Sequence, residues 1–251
     1  MIEYGTNWQT AQKARTELNP FKQVNICGYW VWVRADPSSG PNDVFIGEGP
    51  LRDEYQLEPI VQEGHQLQWV LDIGAFIGTF TMKVKFLWPD ARVISFEPSP
   101  ESAHLYRLNT NNFGGISFYE AAAVRRGQEG TVHLSFDNNF HAARRIKEIV
   151  AQFGHTAIVG EPVRAVALLD VLEDHGNPDI AILKIDAEGA EADLLEDLGD
   201  AGYLERVVWI RGEWHYYESI PRIKAALHKT HVFQIAEQGH AWGAFIAHRK
   251  T

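Results

Sequence analysis

The rhythm of apolar and polar positions changes near residue 68. Beyond it, short apolar runs alternate with stretches of helical spacing, and each run closes on turn-forming residues. Residues 69–73 predict a strand, and residues 76–87 a helix stopped by Trp88, Pro89 and Asp90. A second strand over 92–96 leads into a helix that starts near Pro100, with Leu105 and Leu108 on its apolar side. Residues 116–123 predict a third strand, residues 130–136 an added antiparallel one, and residues 141–153 a helix. Residues 163–166 read as a short extended piece, and residues 168–174 as a short helix ended by Gly176. The run from Ile180 to Ile185 is almost continuously apolar, the pattern of a central parallel strand covered on both faces. A helix over 190–198, a strand over 207–211 and a helix over 221–228 follow.

The chain closes on two strands, 231–236 and 242–247, joined by residues 237–241. So short a connection predicts an antiparallel hairpin. The fold class is therefore α/β: a doubly wound, mostly parallel sheet of seven strands that ends in an antiparallel hairpin. Residues before 68 are less regular. Residues 28–34 are aromatic and β-branched and predict a strand, residues 36–43 are turn and loop material, and residues 52–62 hold a short helix. Residues 1–68 are expected to form a β-rich N-terminal extension packed on a core domain of residues 69–251.

Composition narrows the partners. The chain has 251 residues, 45% of them hydrophobic and 22% charged, as in an ordinary globular domain with a well-buried core. Its formal net charge is -10, from 33 acidic residues against 23 Lys and Arg. Long-range attraction to nucleic acid or to an anionic membrane is not expected. The dense basic pairs, Arg125-Arg126 and Arg144-Arg145 with Lys147, read as solvated faces. Cys27 is the single cysteine, so neither an internal disulfide nor a cysteine-based zinc site is expected. No secretory signal and no apolar run of bilayer length is seen, and a reducing cytoplasm is the expected location.

The first core strand ends in Asp72-Ile73-Gly74-Ala75-Phe76-Ile77-Gly78. Gly74 lets the backbone turn sharply, and Gly78 lets the next helix pack close. Amides at such a loop and helix start face a bound cofactor, and Asp72 would order them or a water. Glu97 ends the second strand, 25 positions after Asp72. An acid there accepts hydrogen bonds from both hydroxyls of a ribose, or else caps the helix near Pro100. Ala75, Phe76, Pro98 and Ala122 complete the candidate cofactor residues. A dinucleotide site favours G-x-G-x-x-G, and Phe76 stands where a pyrophosphate needs room. A methionine side chain on adenosine needs no such cradle. A parallel sheet closed by an antiparallel hairpin is also the Rossmann-like layout of S-adenosylmethionine-dependent methyltransferases, whereas nicotinamide-binding domains end on a parallel strand. S-adenosylmethionine is the expected cofactor.

Two later clusters carry the candidate chemistry. Asp186 ends the buried strand, at the edge where open α/β sheets bind ligands. Glu188 and Glu191 fall at the start of the next helix, where acids are also favoured by the helix dipole. Glu213 and His215 follow the next strand and alternate, so they point the same way. His215 is the best general-base candidate on its reference pKa.

Three words of the chain resemble the FkbM family of methyltransferases: residues 71–78, Ser95-Phe96-Glu97-Pro98, and Leu183-Lys184-Ile185-Asp186-Ala187-Glu188-Gly189-Ala190-Glu191. The resemblance runs from about residue 44 to residue 248 and rests most on the third word. It implies a Rossmann-like methyltransferase fold, S-adenosylmethionine as donor, and O-methylation of hydroxyls on sugars or natural products such as macrolides. It places Gly74, Ala75, Gly78 and Glu97 at the donor site, and Asp186 and Glu188 in the active-site word. One departure is Phe76, where the family commonly has Asn.

The expected reaction is in-line methyl transfer, with His215 or Asp186 taking the acceptor's proton and Glu213 orienting or charging the site. A variant, not favoured, has Asp186, Glu188 and Glu213 holding a divalent cation such as Mg²⁺. A nicotinamide-dependent oxidoreductase and a non-catalytic nucleoside-binding module are the alternative classes. The expected partner is a small-molecule or glycan acceptor, on which Trp8, Trp30, Trp32, Trp214, Tyr216 or Tyr217 could stack.

Overall fold

The computed structural model describes residues 20–137, 140–146, 158–235 and 242–251. The described chain opens on a hairpin of β1 (Phe21–Ile26) and β2 (Tyr29–Arg34), paired antiparallel from Phe21 with Arg34 to Ile26 with Tyr29. Its two-residue turn, Cys27 at φ 52° and Gly28 at φ 89°, has the doubly left-handed form that matches strand twist.

Helix α1 (Gly40–Leu51) comes next and overlaps residues read above as loop. Five of its twelve positions, Gly40, Pro41, Gly47, Gly49 and Pro50, are glycine or proline, which hides helical spacing. Pro41 sits in the first turn, where no intrahelical N–H is lost. Gly47 lets the helix lie close on Ile77 and Thr79. Helix α2 (Leu57–Gln62) occupies the C-terminal half of the expected 52–62 helix.

The core elements then follow in alternation. They are β3 (Trp69–Ile73), α3 (Thr79–Leu87), β4 (Arg92–Phe96), α4 (Pro100–Thr110) and β5 (Ile116–Tyr119), and later β10 and its successors. Between them come β6 (Ala122–Val124), β7 (Gly130–Asp137), β8 (Phe140–Ile146), β9 (Ile158–Ala167) and α5 (Leu168–Asp174). The remainder is β10 (Ile180–Ile185), α6 (Glu191–Asp200), β11 (Val207–Trp214), α7 (Ile220–Leu227), β12 (His231–Ile235) and β13 (Gly243–Arg249).

Seven strands form the main sheet, in the order β12-β13-β11-β10-β3-β4-β5. The pairs among β11, β10, β3, β4 and β5 are all parallel. β13 is antiparallel to both its neighbours, so the terminal hairpin is present and its second strand lies between β11 and β12. The chain lays β4 and β5 on one side of β3 and β10 and β11 on the other. The direction reverses between β3 and β10, and a crevice opens there beyond the carboxyl ends of the strands.

A second sheet, of order β6-β9-β7-β8, corrects two expectations. The single strand expected over 116–123 is split at Glu120-Ala121, and β6 leaves the main sheet to pair parallel with β9. The expected antiparallel strand at 130–136 is present as β7, which pairs antiparallel with β9 and β8 in this second sheet. Residues 141–146, read as the start of a helix, belong to strand β8, because pairing with β7 overrides the local helix preference of a run such as Ala142-Ala143. The rest of that expected helix, 147–153, and the hairpin connection 237–241 lie outside the described residues.

Strand alternation divides the core. Leu71, Ile73, Leu183 and Ile185 face one buried cluster with Leu194, Leu195 and Ile210. Val70, Val93, Ile182 and Trp209 face another with Leu57, Ile60, Phe80 and Val84. Each fully buried side chain of this kind contributes about 1.5–3 kcal/mol. Ile26, Val31, Val33 and Leu51 share a third cluster with Ile77, Met82 and Leu105, which joins the N-terminal elements to α3 and α4.

Candidate active site

The donor-side loop is shaped by positions only certain residues can occupy. Gly74 has φ 75°, and a Cβ there would collide with the Asp186 carbonyl oxygen. The Gly74 and Ala75 amides donate to the Phe96 carbonyl at 3.0 and 2.8 Å. Phe76 holds φ 49°, and its amide donates to Glu97 Oε2 at 2.9 Å. A bulky residue in that region stores on the order of 1–3 kcal/mol. Gly78, at φ 89°, starts α3 so close to α4 that a Cβ would come within 3.0 Å of Tyr106.

Glu97 is buried at the end of β4, and its second oxygen accepts the Ser99 amide at 2.8 Å. The helix-capping role belongs to Ser99 instead, whose hydroxyl accepts the Ser102 amide. Pro98 lies half-buried beside it. Ala122 is buried in β6, paired with Ala165 in the second sheet, and belongs to the core cluster that holds Ile73, Ile94 and Phe96 of the main sheet.

Asp72 points to the α3 face of the sheet, where strand register builds a polar row. Arg211, Lys184, Asp72 and Ser95 lie side by side across β11, β10, β3 and β4. Asp72 is fully buried, and Thr81 Oγ1 donates to its Oδ2 at 2.7 Å. Burial raises its carboxyl above the ordinary value, with Lys184 and Thr81 pulling the other way.

The second half of the site begins at Asp186, whose amide donates to the Ile73 carbonyl at 3.1 Å. The chain then turns through Glu188 at φ 52° and Gly189 at φ 112°. Glu191 folds that turn: its Oε1 accepts the Ala187 amide at 2.9 Å, and Oε2 accepts the Gly189 amide at 3.0 Å. The same Oε1 lies 2.9 Å from His215 Nδ1. Burial works against the Glu191 carboxylate, yet His215 and these amides hold its pKa below the ordinary value.

His215 is 6% exposed. Its Nε2 faces three more carboxylates, Glu188 at 3.5 Å, Asp186 at 3.7 Å and Glu213 at 4.0 Å. Burial lowers its proton affinity, but Glu188, Glu191 and Asp186 prevail and lift its pKa to about 10. Glu213 is pushed up to about 8, by burial first and by Asp186 second. At neutral pH the site therefore holds an imidazolium, where the sequence argument looked for a neutral base.

Asp186, His215 and Glu213 thus converge on one crevice, and Glu191 orients the imidazole from behind. The sequence offers Glu191 both as a helix-start acid and as the last residue of the third word, and that second position is the signal for its role here. The cation-ligand geometry also shifts. The ligand atoms of Asp186, Glu188 and His215 all lie within 4.8 Å of one another, with histidine in the place given above to Glu213. Glu54 and Tyr55, between α1 and α2, were missed. Lys184 Nζ lies 5.7 Å from the Tyr55 ring centre, and Lys184 and Asp186 act on the Glu54 carboxyl, which burial raises to about 7. Among the aromatic candidates, Trp214 and Tyr216 are buried in the core and closed to an acceptor, whereas Trp30 and Tyr217 are exposed. Trp8 lies outside the described residues. Arg126, in one basic pair, is ion-paired with Asp170 and Glu173.

A parallel sheet with a single inserted antiparallel strand, a glycine turn at its switch point and an acid at the end of the neighbouring strand frame the comparison with known proteins. The Methyltransferase FkbM domain family matches residues 72–246. The chain belongs to the FkbM methyltransferase family. Its reaction class is methyl transfer dependent on S-adenosylmethionine. The match opens on Asp72 and takes in both halves of the site.

Among curated relatives, Methyltransferase 1 of Beauveria bassiana is 24% identical over 185 residues, covering 67% of this chain and 72% of that protein. The 31-O-demethyl-FK506 methyltransferase FkbM of Streptomyces tacrolimicus is 27% identical over 199 residues, covering 67% and 74%. A solved structure of the T. thermophilus 16S rRNA N2 G1207 methyltransferase, in complex with AdoMet and guanosine, aligns at 12% identity and a TM-score of 0.47, over 92% of this chain and 50% of that one. In this FkbM-family chain no helix among the described residues is long and apolar enough to cross a membrane.

Proposed function

We propose that this FkbM-family methyltransferase methylates a hydroxyl oxygen on a sugar or natural-product acceptor, and that Asp186 takes the proton. The reading is carried by one observation. His215 is surrounded by acids that keep it protonated, while Asp186 beside it presents a carboxylate 24% exposed to the crevice.

The residues fit the donor. Positive φ at Gly74 and Gly78 turns the backbone out of β3 and into α3, and buried Glu97 stands beside the loop. Gly74, Ala75, Phe76, Gly78, Glu97 and Pro98 would hold S-adenosylmethionine, which supplies an electrophilic methyl group on a cationic sulfur. Bound there, it would offer that carbon to in-line attack by the acceptor oxygen, with the carbon–sulfur electron pair leaving on sulfur. The acceptor proton passes to Asp186. The His215 imidazolium, fixed by Glu191, balances the charge of Asp186 and Glu188, and neutralises Asp186 less once that carboxyl is protonated. Alignment of the two reactants is worth up to about 7–11 kcal/mol in well-oriented systems, so the rigid turn at 186–191 matters as much as the base. The Streptomyces relative, a methyltransferase of an O-demethyl substrate, supports an oxygen acceptor.

A second reading rests on the convergence of Asp186, Glu188 and His215 within 4.8 Å. A divalent cation held there would lower the acceptor's pKa in place of the base.

A screen of glycans and natural-product extracts with isotopically labelled donor tests both. Asp186→Asn and His215→Ala should each reduce turnover roughly 10²-fold or more. Near-normal turnover in both variants would overturn the reading. Turnover that disappears on chelation and returns with Mg²⁺ would replace it with the metal-assisted one.

A further inference from the structure

Lys184 is buried, 3% exposed, at the last-but-one position of β10. Nothing in the reaction just described uses it. Its ammonium nevertheless touches both halves of the site. It donates to the Ile73 carbonyl at 3.3 Å and to the Gly74 carbonyl, at the exit of β3. On either side stand Asp72 Oδ1 at 3.6 Å and Asp186 Oδ2 at 3.7 Å. That Asp72 oxygen is buried and has no hydrogen bond among the described residues, so the ammonium is what compensates it. Tyr55 covers the ammonium from the N-terminal segment, and the backbone carbonyl of Tyr55 is itself held by Arg211 Nε at 2.9 Å.

We infer that Lys184 is a positioning residue that locks the donor loop to the proton-accepting carboxylate, so that donor binding and base geometry are set together. The inference rests on the reading of Asp186 given above. The physical argument has three parts. A primary ammonium has three donors and no acceptor, and here the Ile73 and Gly74 carbonyls, at the exit of β3, take two of them. The same loop has no clearance from Asp186, as the excluded Cβ at Gly74 shows. Finally, the charges facing Lys184 come from every element around it: Asp72 on β3, Glu97 after β4, Asp186 after β10, Glu213 on β11 and Glu54 beside Tyr55. Remove the cation and these carboxylates repel, the loop moves, and Asp186 is left facing other acids.

The test is calorimetric titration of the full chain with S-adenosylhomocysteine, for wild type, Lys184→Met and Lys184→Arg. Lys83→Met is the control: Lys83 is also buried and ion-paired, with Glu58 at 2.9 Å, but lies outside the crevice. Lys184→Met should bind at least about 30-fold more weakly, Lys184→Arg should recover to within a few-fold, and Lys83→Met should lose stability with wild-type affinity. On an acceptor found by the labelled-donor screen, the acidic limb of kcat/KM should move up by about one pH unit in Lys184→Met and return in Lys184→Arg. If Lys184→Met does not fold, Lys184→Gln, which keeps a donor without the charge, carries the same expectation. Affinity within twofold of wild type and an unmoved limb, in a variant that has lost stability, would reduce Lys184 to a structural residue and overturn the inference. Failure of the wild-type chain to bind S-adenosylhomocysteine would instead overturn the functional reading beneath it.

Discussion

His215 owes its protonation to where three chain segments deliver charge. β11 presents it, the 186–191 turn supplies Asp186 and Glu188, and α6 contributes Glu191 at 2.9 Å. A buried histidine without these partners would lose its proton more easily than a free one. The Glu191 contact is the closest, so Glu191→Gln should keep the hydrogen bond while removing the charge. The imidazole pKa, followed by NMR of the ring carbons, should then fall from about 10 by roughly one to two units. An unchanged titration would show that Glu188 and Asp186 alone hold the proton. The pH–rate profile separates the two proton acceptors in the same way. If Asp186 acts as base and the imidazolium supports it, kcat falls as pH rises through about 10; a neutral His215 base would make it rise there. The candidate residues themselves were legible because strand ends in such sheets gather at one edge. The protonation state was not, because it depends on three carboxylates, Glu188, Glu191 and Asp186, that converge only once β10, β11 and α6 are packed.

Elements differ in how openly their sequences declare them. β10 is buried on both faces and carries an uninterrupted apolar run, so its limits follow from composition. α1 spends five of twelve positions on glycine and proline and shows no apolar stripe; its packing on α3 decides it. β6, β8 and β9 were obscured for another reason. Pairing in a second sheet fixes them: β6 finds its partner β9 far along the chain, and β8 is held by pairing with β7 rather than by its own apolar pattern. The β1–β2 hairpin carries a turn residue at odds with its geometry. Cys27 occupies φ 52° beside Gly28 at φ 89°, where asparagine followed by glycine is preferred. The Cys27 side chain is exposed, and it makes a weak 3.8 Å hydrogen bond to Glu48. Cys27→Asn should therefore stabilise the chain by about 0.5–1 kcal/mol. Thermal unfolding would show this as a rise in Tm of a few degrees, and a fall would mean that the Glu48 contact outweighs the turn.

At the scale of the whole molecule, the acidic crevice should govern how stability responds to pH. The chain carries a formal charge of -10, but surface charges that titrate alike in the folded and unfolded states leave no pH dependence. His215 does not titrate alike. Its ordinary value is 6.5 and its folded value about 10, so the folded state keeps a proton that the unfolded chain gives up. That contribution is complete below about pH 6.5 and is lost as pH rises to 10. Glu213 acts in the same sense over a lower window. With an ordinary value of 4.5 and a folded value of about 8, it favours the folded state most below pH 4.5 and loses that effect by pH 8. Glu191 opposes them only at low pH. Its depressed pKa stabilises the fold above the ordinary carboxyl range and ceases to do so as pH falls through the folded value. Tm should therefore peak on the acid side of neutrality and decline steadily between pH 7 and pH 10. His215→Gln removes the proton exchange that drives the upper part of that decline, so its Tm should fall less steeply than wild type from pH 8 to pH 10, the remaining slope coming from Glu213, whose pKa His215 otherwise holds down. An equally steep decline in His215→Gln would place the titrating group elsewhere and detach the imidazolium from the stability of the fold.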